Sequence, residues 1–323
     1  MCESNHSAKE DNMRQARLKP DYQDTWHHCY NRTVGTRADR PFGDAEKEMF
    51  VRMLKCLAAF YTVRIVSYTF MSNHFHIILQ APLEAPSEED ASARYAAFHR
   101  GKREIRPGTA VCREWTGRLR DVSWFMRHFQ HLCTAWYNRT RPERRRGPLW
   151  AGRFKNTVLE SGLAVWACWA YVERNPVRAH LVTDPADYRF CSYGEWAQTG
   201  HHPFADAIAH YLVPTLPLPF EGLDAHGLLN TLKARFARDA AEDAAQNGNP
   251  AVSTPIEFLL TARRQVRHWV DGLCIGSELF VREAVRRSRP SSTKPTHRLA
   301  KAAPTSDAPD GVCCWRHLRL ALE

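Results

Sequence analysis

The chain has 323 residues, a formal net charge of +10 (45 Lys and Arg against 35 Asp and Glu) and 44% hydrophobic residues. That is enough apolar material for one large core or two ordinary ones, and the positive balance favours a polyanionic partner, nucleic acid before membrane. The ten cysteines include no Cys-x-x-Cys pair, which argues against a zinc ribbon or finger; no apolar run reaches the roughly 18 residues of a membrane span and no signal-peptide pattern opens the chain, so reduced thiols in a soluble, cytoplasmic protein are expected.

Residues 1–23 are polar and without period, which predicts a disordered leader. Trp26 to Val34 alternates enough for a first strand and offers His27 and His28, read as structural or DNA-contacting. After a loop, Asp44 stands where a helix cap would, and Phe50, Met53, Leu54 and Leu57 recur at helical spacing. The apolar run Tyr61 to Phe70, a polar turn at Ser72-Asn73 and the run His74 to Gln80 read as two paired strands. Successive strand side chains point to opposite faces, so Phe75, Ile77 and Leu79 share one face and His74 and His76 the other. Two imidazoles at that spacing on a rigid strand can grip a divalent ion and leave positions open for a third ligand and a substrate oxygen. Taken alone, such a pair is more often two half-buried structural histidines.

Ala81 to Arg120 is polar and interrupted by prolines, with a helix predicted over Ala91 to Arg100. Asp121 or Ser123 caps a helix whose stripe Phe125, Met126, Phe129, Leu132, Cys133 and Trp136 is core; Tyr137 lies on the same helix. Arg139, Arg141, Arg144, Arg145 and Arg146 follow, close to Trp150 and Phe154. Guanidinium groups beside aromatics suit phosphate contacts and base stacking on an unpaired strand, although a solvated charged loop would look the same. Lys155 to Leu159 reads as the last sheet strand. Gly162 to Arg174 reads as a helix that Pro176 ends. Tyr171 and Asn175, four apart, fall on one face of it; a phenol and a carboxamide there can act as nucleophile and ligand oxygen. Alone, Tyr171 reads as a packing tyrosine. The order strand, helix, strand, strand, helix, strand, helix predicts an α+β, ferredoxin-like antiparallel sheet with packed helices.

Beyond Trp196, a proline-punctuated linker precedes helical runs at Leu223 to Ala240, Pro255 to Val270 and Glu278 to Arg287, the last behind a Gly276-Ser277 cap. This extension, 198–288, is read as a DNA-binding annex or a plain helical cap. Residues 289–323 are expected to be disordered, and Cys313-Cys314-Trp315 has no explanation in the sequence.

The stretches Met71 to Leu79 (MSNHFHIIL), Phe125 to Arg139, Gly147 to Asn156 (GPLWAGRFKN), Tyr171 to Val182 (YVERNPVRAHLV) and Asp187 to Tyr193 together resemble the HUH single-strand DNA endonucleases. The nearer resemblance is to the REP-associated tyrosine transposases, over roughly 24–197, with the motifs in family order. His180 stands where that family usually has glycine. The resemblance implies a catalytic Tyr171 and a Mg²⁺ or Mn²⁺ ion on His74, His76 and Asn175. It adds Arg153, Lys155 and Arg178, which lie inside these motifs, to the DNA-contacting set. It further implies a 5′-phosphotyrosine intermediate, a single-stranded DNA substrate with REP-like hairpins, and a monomer or homodimer. Two rival expectations are a catalytically inactive, transposase-derived nucleic-acid-binding protein and a metal-dependent phosphodiesterase that uses water.

Overall fold

The computed structural model describes residues 17–36, 38–141, 145–217, 220–244, 269, 274–287 and 312–315. Strand β1 (Thr25–Arg32), helix α1 (Asp44–Phe60) and the hairpin β2 (Arg64–Phe70) and β3 (His74–Ala81) open the fold. Helices α2 (Glu88–Phe98), α3 (Ala110–Leu119) and α4 (Val122–Thr140) follow, then β4 (Lys155–Leu159), α5 (Leu163–Glu173), the single turn α6 (Asn175–Arg178) and α7 (Ser192–Thr199). Further helices cover Ala225–Ala244 and Glu278–Arg287, and short strands β5 (Cys274–Ser277) and β6 (Val312–Trp315) complete a six-stranded sheet in the order β2-β3-β1-β4-β5-β6. Helices packed on one largely antiparallel sheet make the architecture α+β.

The first four strands pair antiparallel, and their register aligns the side chains in rows. Thr69, His76, Tyr30 and Lys155 face one another across β2, β3, β1 and β4, and the next row is Ser67, Ile78, His28 and Thr157. Directly paired residues share a face, so the polar side chains of four strands gather on one side of the sheet. Phe70 and Phe75 point to the other side, where they meet Phe50 of α1 and Phe129 of α4 at ring-centre distances of 5.5–6.1 Å. The turn between β2 and β3 falls at Ser72-Asn73, closed by the Met71 amide donating to the His74 carbonyl at 2.8 Å.

Helix α5 covers the polar face, and a buried carboxylate holds it there. Glu173, fully buried at the end of α5, accepts from Ser67 Oγ on β2 (2.7 Å), from Trp169 Nε1 (3.0 Å), from Ser192 Oγ and from the Tyr193 amide on α7 (3.1 Å). Thr69 Oγ1 donates to the Val172 carbonyl at 2.9 Å, a second tie between α5 and β2. Behind α5, a buried Arg174–Asp239 ion pair at 2.5 Å fastens the helix Ala225–Ala244.

Several sequence expectations are corrected. The leader is not loose throughout, because Leu18 is buried against Val158 and Val281, Arg17 donates to the Phe154 carbonyl and Lys19 pairs with Asp121; residues 1–16 lie outside the described residues. Gly43, not Asp44, caps α1, with its amide held by the Glu46 carboxylate. The segment after β3 forms two helices where one was expected. Asp121 is the cap of α4, accepting from the Ser123 and Trp124 amides. After a pause at Arg174, Pro176 takes the second position of a further helical turn, where its missing N–H costs nothing. Lys155–Leu159 is not the last strand: β5 runs parallel beside it and β6 antiparallel beside β5, which gives Cys313-Cys314-Trp315 a place in the sheet. The run expected over Pro255 to Val270 lies outside the described residues apart from Trp269.

Replacing Glu173 by Ala strands four buried donors, and unfolding free energy measured in urea is expected to fall by about 3 kcal/mol or more. A change under about 0.5 kcal/mol, the size of an ordinary surface substitution, would refute the pinning role.

Candidate active site

Row periodicity concentrates chemistry at one end of the polar face. There a cleft of about 680 Å³ is lined by β1, β3 and the approach to β4, with His74, His76, Tyr171 and Asn175 at its base. The ring centres of His74 and His76 are 5.2 Å apart, and the Tyr171 ring stands edge-on to His76 at 5.6 Å. Tyr171 thus reaches His76 of its own chain. Asn175 is at the start of α6 and is largely buried; its Nδ2 donates back to the Tyr171 and Val172 carbonyls (3.0 and 3.1 Å). Both amide protons are directed to those carbonyls, so Oδ1 remains as the acceptor on the cleft side.

Burial sets the protonation of these groups. It pushes His74 down from 6.5 to about 4, helped by the charge of Arg40, and it pushes His76 well below its ordinary value, with His28, His74 and Arg178 acting the same way. Both rings are therefore neutral near pH 7, the state in which an imidazole nitrogen can ligate. Nδ1 of His74 lies 2.7 Å from Asn73 Oδ1, an oxygen that only accepts, so the proton is on Nδ1 and the Nε2 lone pair is free. Burial likewise raises the Tyr171 phenol above its ordinary 10, and the Arg178 guanidinium, 5.1 Å from the ring centre, pulls it part of the way back.

The basic residues divide into two sets. Arg153 and Lys155 line the cleft, together with Arg32 and Arg40 from β1 and the loop after it. Arg139 and Arg146 are exposed but are not part of the cleft wall. Arg141 pairs with Glu46 and covers the Tyr137 ring, and Arg145 donates to Asn138 Oδ1 and the Pro148 carbonyl, so both are engaged within the protein. Arg144 lies outside the described residues. Trp150 is corrected from its expected stacking role: it is in the core, edge-on to Phe75 at 5.1 Å, with its Nε1 donating to the Gln130 carbonyl. Phe154 is buried too, under the guanidinium of Arg17.

Residues that sequence reasoning passed over complete the site. Tyr30 packs on both histidines, with ring centres 5.7 and 4.9 Å from His74 and His76. His27 and His28, read from the sequence as structural or DNA-contacting, are each 1% exposed, which excludes DNA contact and leaves the structural reading. His28 meets His76 edge to edge, with ring centres 5.1 Å apart, planes within 9° and its Nε2 2.9 Å from His76 Nδ1. Trp269 stacks on Tyr171 at 5.7 Å, and its carbonyl accepts from Thr157 Oγ1 and His28 Nδ1. The alternation His28, Tyr30, Arg32 was the available signal for β1. Nothing in the sequence ties residue 269 to the site.

No protein-family model matches the chain, and no curated protein matches it. Among solved structures, the chain is similar to one described as the structure of the REP-associated tyrosine transposase bound to a REP hairpin, at 14% identity and a TM-score of 0.34, over 58% of this chain and 85% of that one. That likeness is distant and does not show family membership. No described helix is long and apolar enough to cross a membrane.

Burial of neutral imidazoles makes stability depend on pH. His27 and His128 are pushed from 6.5 to about 4 and His202 to about 3, in each case by desolvation first. Their folded values lie below the unfolded one, so the unfolded chain binds more protons between them. The stability they confer is complete above pH 6.5 and is lost as pH falls toward 4, by up to about 1.4 kcal/mol per pH unit for each group. The urea midpoint is expected to drop markedly from pH 7.5 to pH 5; a flat profile would contradict the burial of these rings.

Proposed function

We propose that the protein is a metal-dependent single-strand DNA endonuclease and strand transferase in which Tyr171 is the nucleophile. The observation that carries this reading is the 5.6 Å approach of the Tyr171 ring to His76 at the foot of a basic cleft. The strand order β2-β3-β1-β4, with α1 and α4 on one side, is how we read the core as ferredoxin-like.

The donor set fits a divalent ion. His74 and His76 are neutral, and with Asn175 Oδ1 they supply two nitrogens and one neutral oxygen facing one cleft. Among the described residues no group of three His, Cys, Asp or Glu side chains is placed to hold a metal ion, so this reading requires the carboxamide as third ligand and leaves the charge of the ion for an anionic substrate. We assign Mg²⁺ or Mn²⁺. When bound, the ion would polarise the scissile phosphate and offset charge on its oxygens.

The chain's own groups do the rest. The phenolic oxygen attacks phosphorus; a tyrosyl phosphodiester bond forms as the bond to the 3′-oxygen breaks. The proton lost by the phenol is balanced by the one that the departing 3′-oxygen takes up. The bond energy is kept in the 5′-phosphotyrosine link, so a 3′-OH can reverse the step without ATP. Arg178, over the Tyr171 ring, favours the phenolate. Arg32, Arg40, Arg153 and Lys155 give the cleft wall the charge to track a backbone of phosphates. A single nucleophile reached from one cleft makes a one-strand cut, and REP-like hairpins as substrate rest on the motif resemblance alone.

One observation favours the alternative of a non-catalytic binding protein: Tyr171 is 1% exposed beneath Trp269. Labelled single-stranded hairpin DNA incubated with Mn²⁺ and run on a denaturing gel separates the two readings. A protein-linked fragment is expected from the native chain and none from Tyr171→Phe. Cleavage surviving in Tyr171→Phe would identify water as the nucleophile, and DNA binding with no cleavage by either protein would leave the binder.

If the cleft wall tracks phosphates, Arg153→Ala combined with Lys155→Ala should flatten the dependence of log affinity on log salt by about 1.4, roughly 0.7 per phosphate contact on a single strand. An unchanged slope would move DNA binding away from this cleft.

A further inference from the structure

Behind the two histidines of the cleft lies a third that the reaction does not touch. His28 is on β1, one row from His76, and is 1% exposed. Its Nδ1 is 2.8 Å from the Trp269 carbonyl oxygen and its Nε2 is 2.9 Å from His76 Nδ1. A carbonyl oxygen only accepts, so His28 Nδ1 carries a proton and donates it. The ring is neutral in its dry surroundings, so its Nε2 is bare and can only accept. The proton between the two rings therefore belongs to His76 Nδ1, which leaves His76 Nε2 with an unused lone pair.

We propose that His28 is a positioning residue that fixes His76 in the Nδ1–H tautomer, the form in which His76 Nε2 is open to a metal ion. The assignment deepens the reading of His74 and His76 as a metal centre and rests on it for its functional meaning. An unrestrained neutral imidazole carries its proton mainly on Nε2, which would block that nitrogen; the partner of the other nitrogen decides the tautomer. His74 solves the same problem locally, through Asn73 in the turn before it, whose Nδ2 is itself held by the Asp39 carbonyl at 2.9 Å. His76 is deep in the sheet, out of reach of any turn. Its proton is ordered through β1, and the chain ends at a carbonyl further fixed by Thr157 Oγ1 at 3.0 Å. The ring planes lie within 9° of each other with centres 5.1 Å apart, the arrangement of two imidazoles joined edge to edge through an in-plane N–H···N bond, so the contact sets the plane of His76 as well as its proton.

The tautomer can be read without metal. Long-range ¹H–¹⁵N spectra of histidine-labelled protein at pH 7.5 should show His28 and His76 both protonated at Nδ1. In His28→Phe, which keeps a flat ring but offers no acceptor, the His76 signal should shift to the Nε2–H form. Mn²⁺ affinity by calorimetry should weaken about 10–100-fold in the same variant, the usual scale for losing a residue that orients a ligand. His28→Gln, which restores an acceptor oxygen, should recover most of the affinity. An Nε2–H His76 in the native protein overturns the proposal, and so does native Mn²⁺ affinity in His28→Phe or equal losses in the Phe and Gln variants. Should His28→Phe not fold, the native spectrum and His28→Gln still decide. Failure of the native protein to bind Mn²⁺ would instead strike the metal centre itself, while the spectra continue to report on His28.

Discussion

The position of the tyrosine depends on one buried carboxylate. Glu173 accepts from β2, from α7 and from its own helix, so the end of α5 is clamped to the sheet two residues after Tyr171. Burial pushes this carboxyl up, and the serine and amide donors pull against that shift. A buried carboxylate is worth little as attraction in general, but with its acceptor sites filled from three elements it becomes a geometric constraint, and breaking it is costly. The Thr69 bond to the Val172 carbonyl adds a second fixed point one residue from the phenol. Freedom of the Tyr171 side chain relative to His76 is thereby reduced to its own rotamers.

Much of this was legible in the sequence where the cause is local. Alternation over Phe75 to Leu79 assigns the two faces of β3, and the turn at Ser72-Asn73 fixes which of them carries the histidines. The helix before Pro176 puts Tyr171 and Asn175 one turn apart. The arrangement behind these residues was not legible, because it is built from pairs distant in the chain: His28 with His76, Ser67 with Glu173, Trp269 with Tyr171. Only the strand register brings them together, and register is a property of the assembled sheet. In sequence, Glu173 looks like an ordinary charge at a helix end. Trp150 shows the reverse error: proximity to an arginine run suggested a stacking platform, while its contacts with Phe42, Phe50 and Phe75 place it in the core. β5 was missed because four residues are too short for a period, and its hydrogen-bonding partner lies 116 positions earlier, Val158 against Cys274.

The rows of the sheet also separate two electrostatic demands of the proposed function that conflict at short range. Lone-pair donors have to be neutral, and burial of His28, His74 and His76 keeps them so. A phosphate backbone needs cations, and the two from the first strand region, Arg32 and Arg40, reach the cleft from its exposed rim, as do Arg153 and Lys155. Moving a guanidinium into the interior rows would depress the imidazoles further and add a desolvation cost of its own. Depth in the cleft thus sorts the two chemistries: charge at the mouth, neutral nitrogen and oxygen at the base.

The same depth bears on the Tyr171 phenol, which the proposed reaction uses as its nucleophile. Desolvation is the largest influence on its phenol and acts to keep it protonated; the Arg178 guanidinium opposes that only in part. Any further positive charge brought to His74, His76 and Asn175 would act in the same direction as Arg178, because each favours the phenolate over the phenol. Trp269, stacked on the ring, excludes water from that side and strengthens both effects by lowering the local dielectric. A phenol held in this way is poorly reactive toward passing electrophiles, and in the proposed reaction its activation would be coupled to the arrival of a cation at the neighbouring donors. Burial of Tyr171, which by itself would argue for a packing role, would under the proposed function make its reactivity conditional.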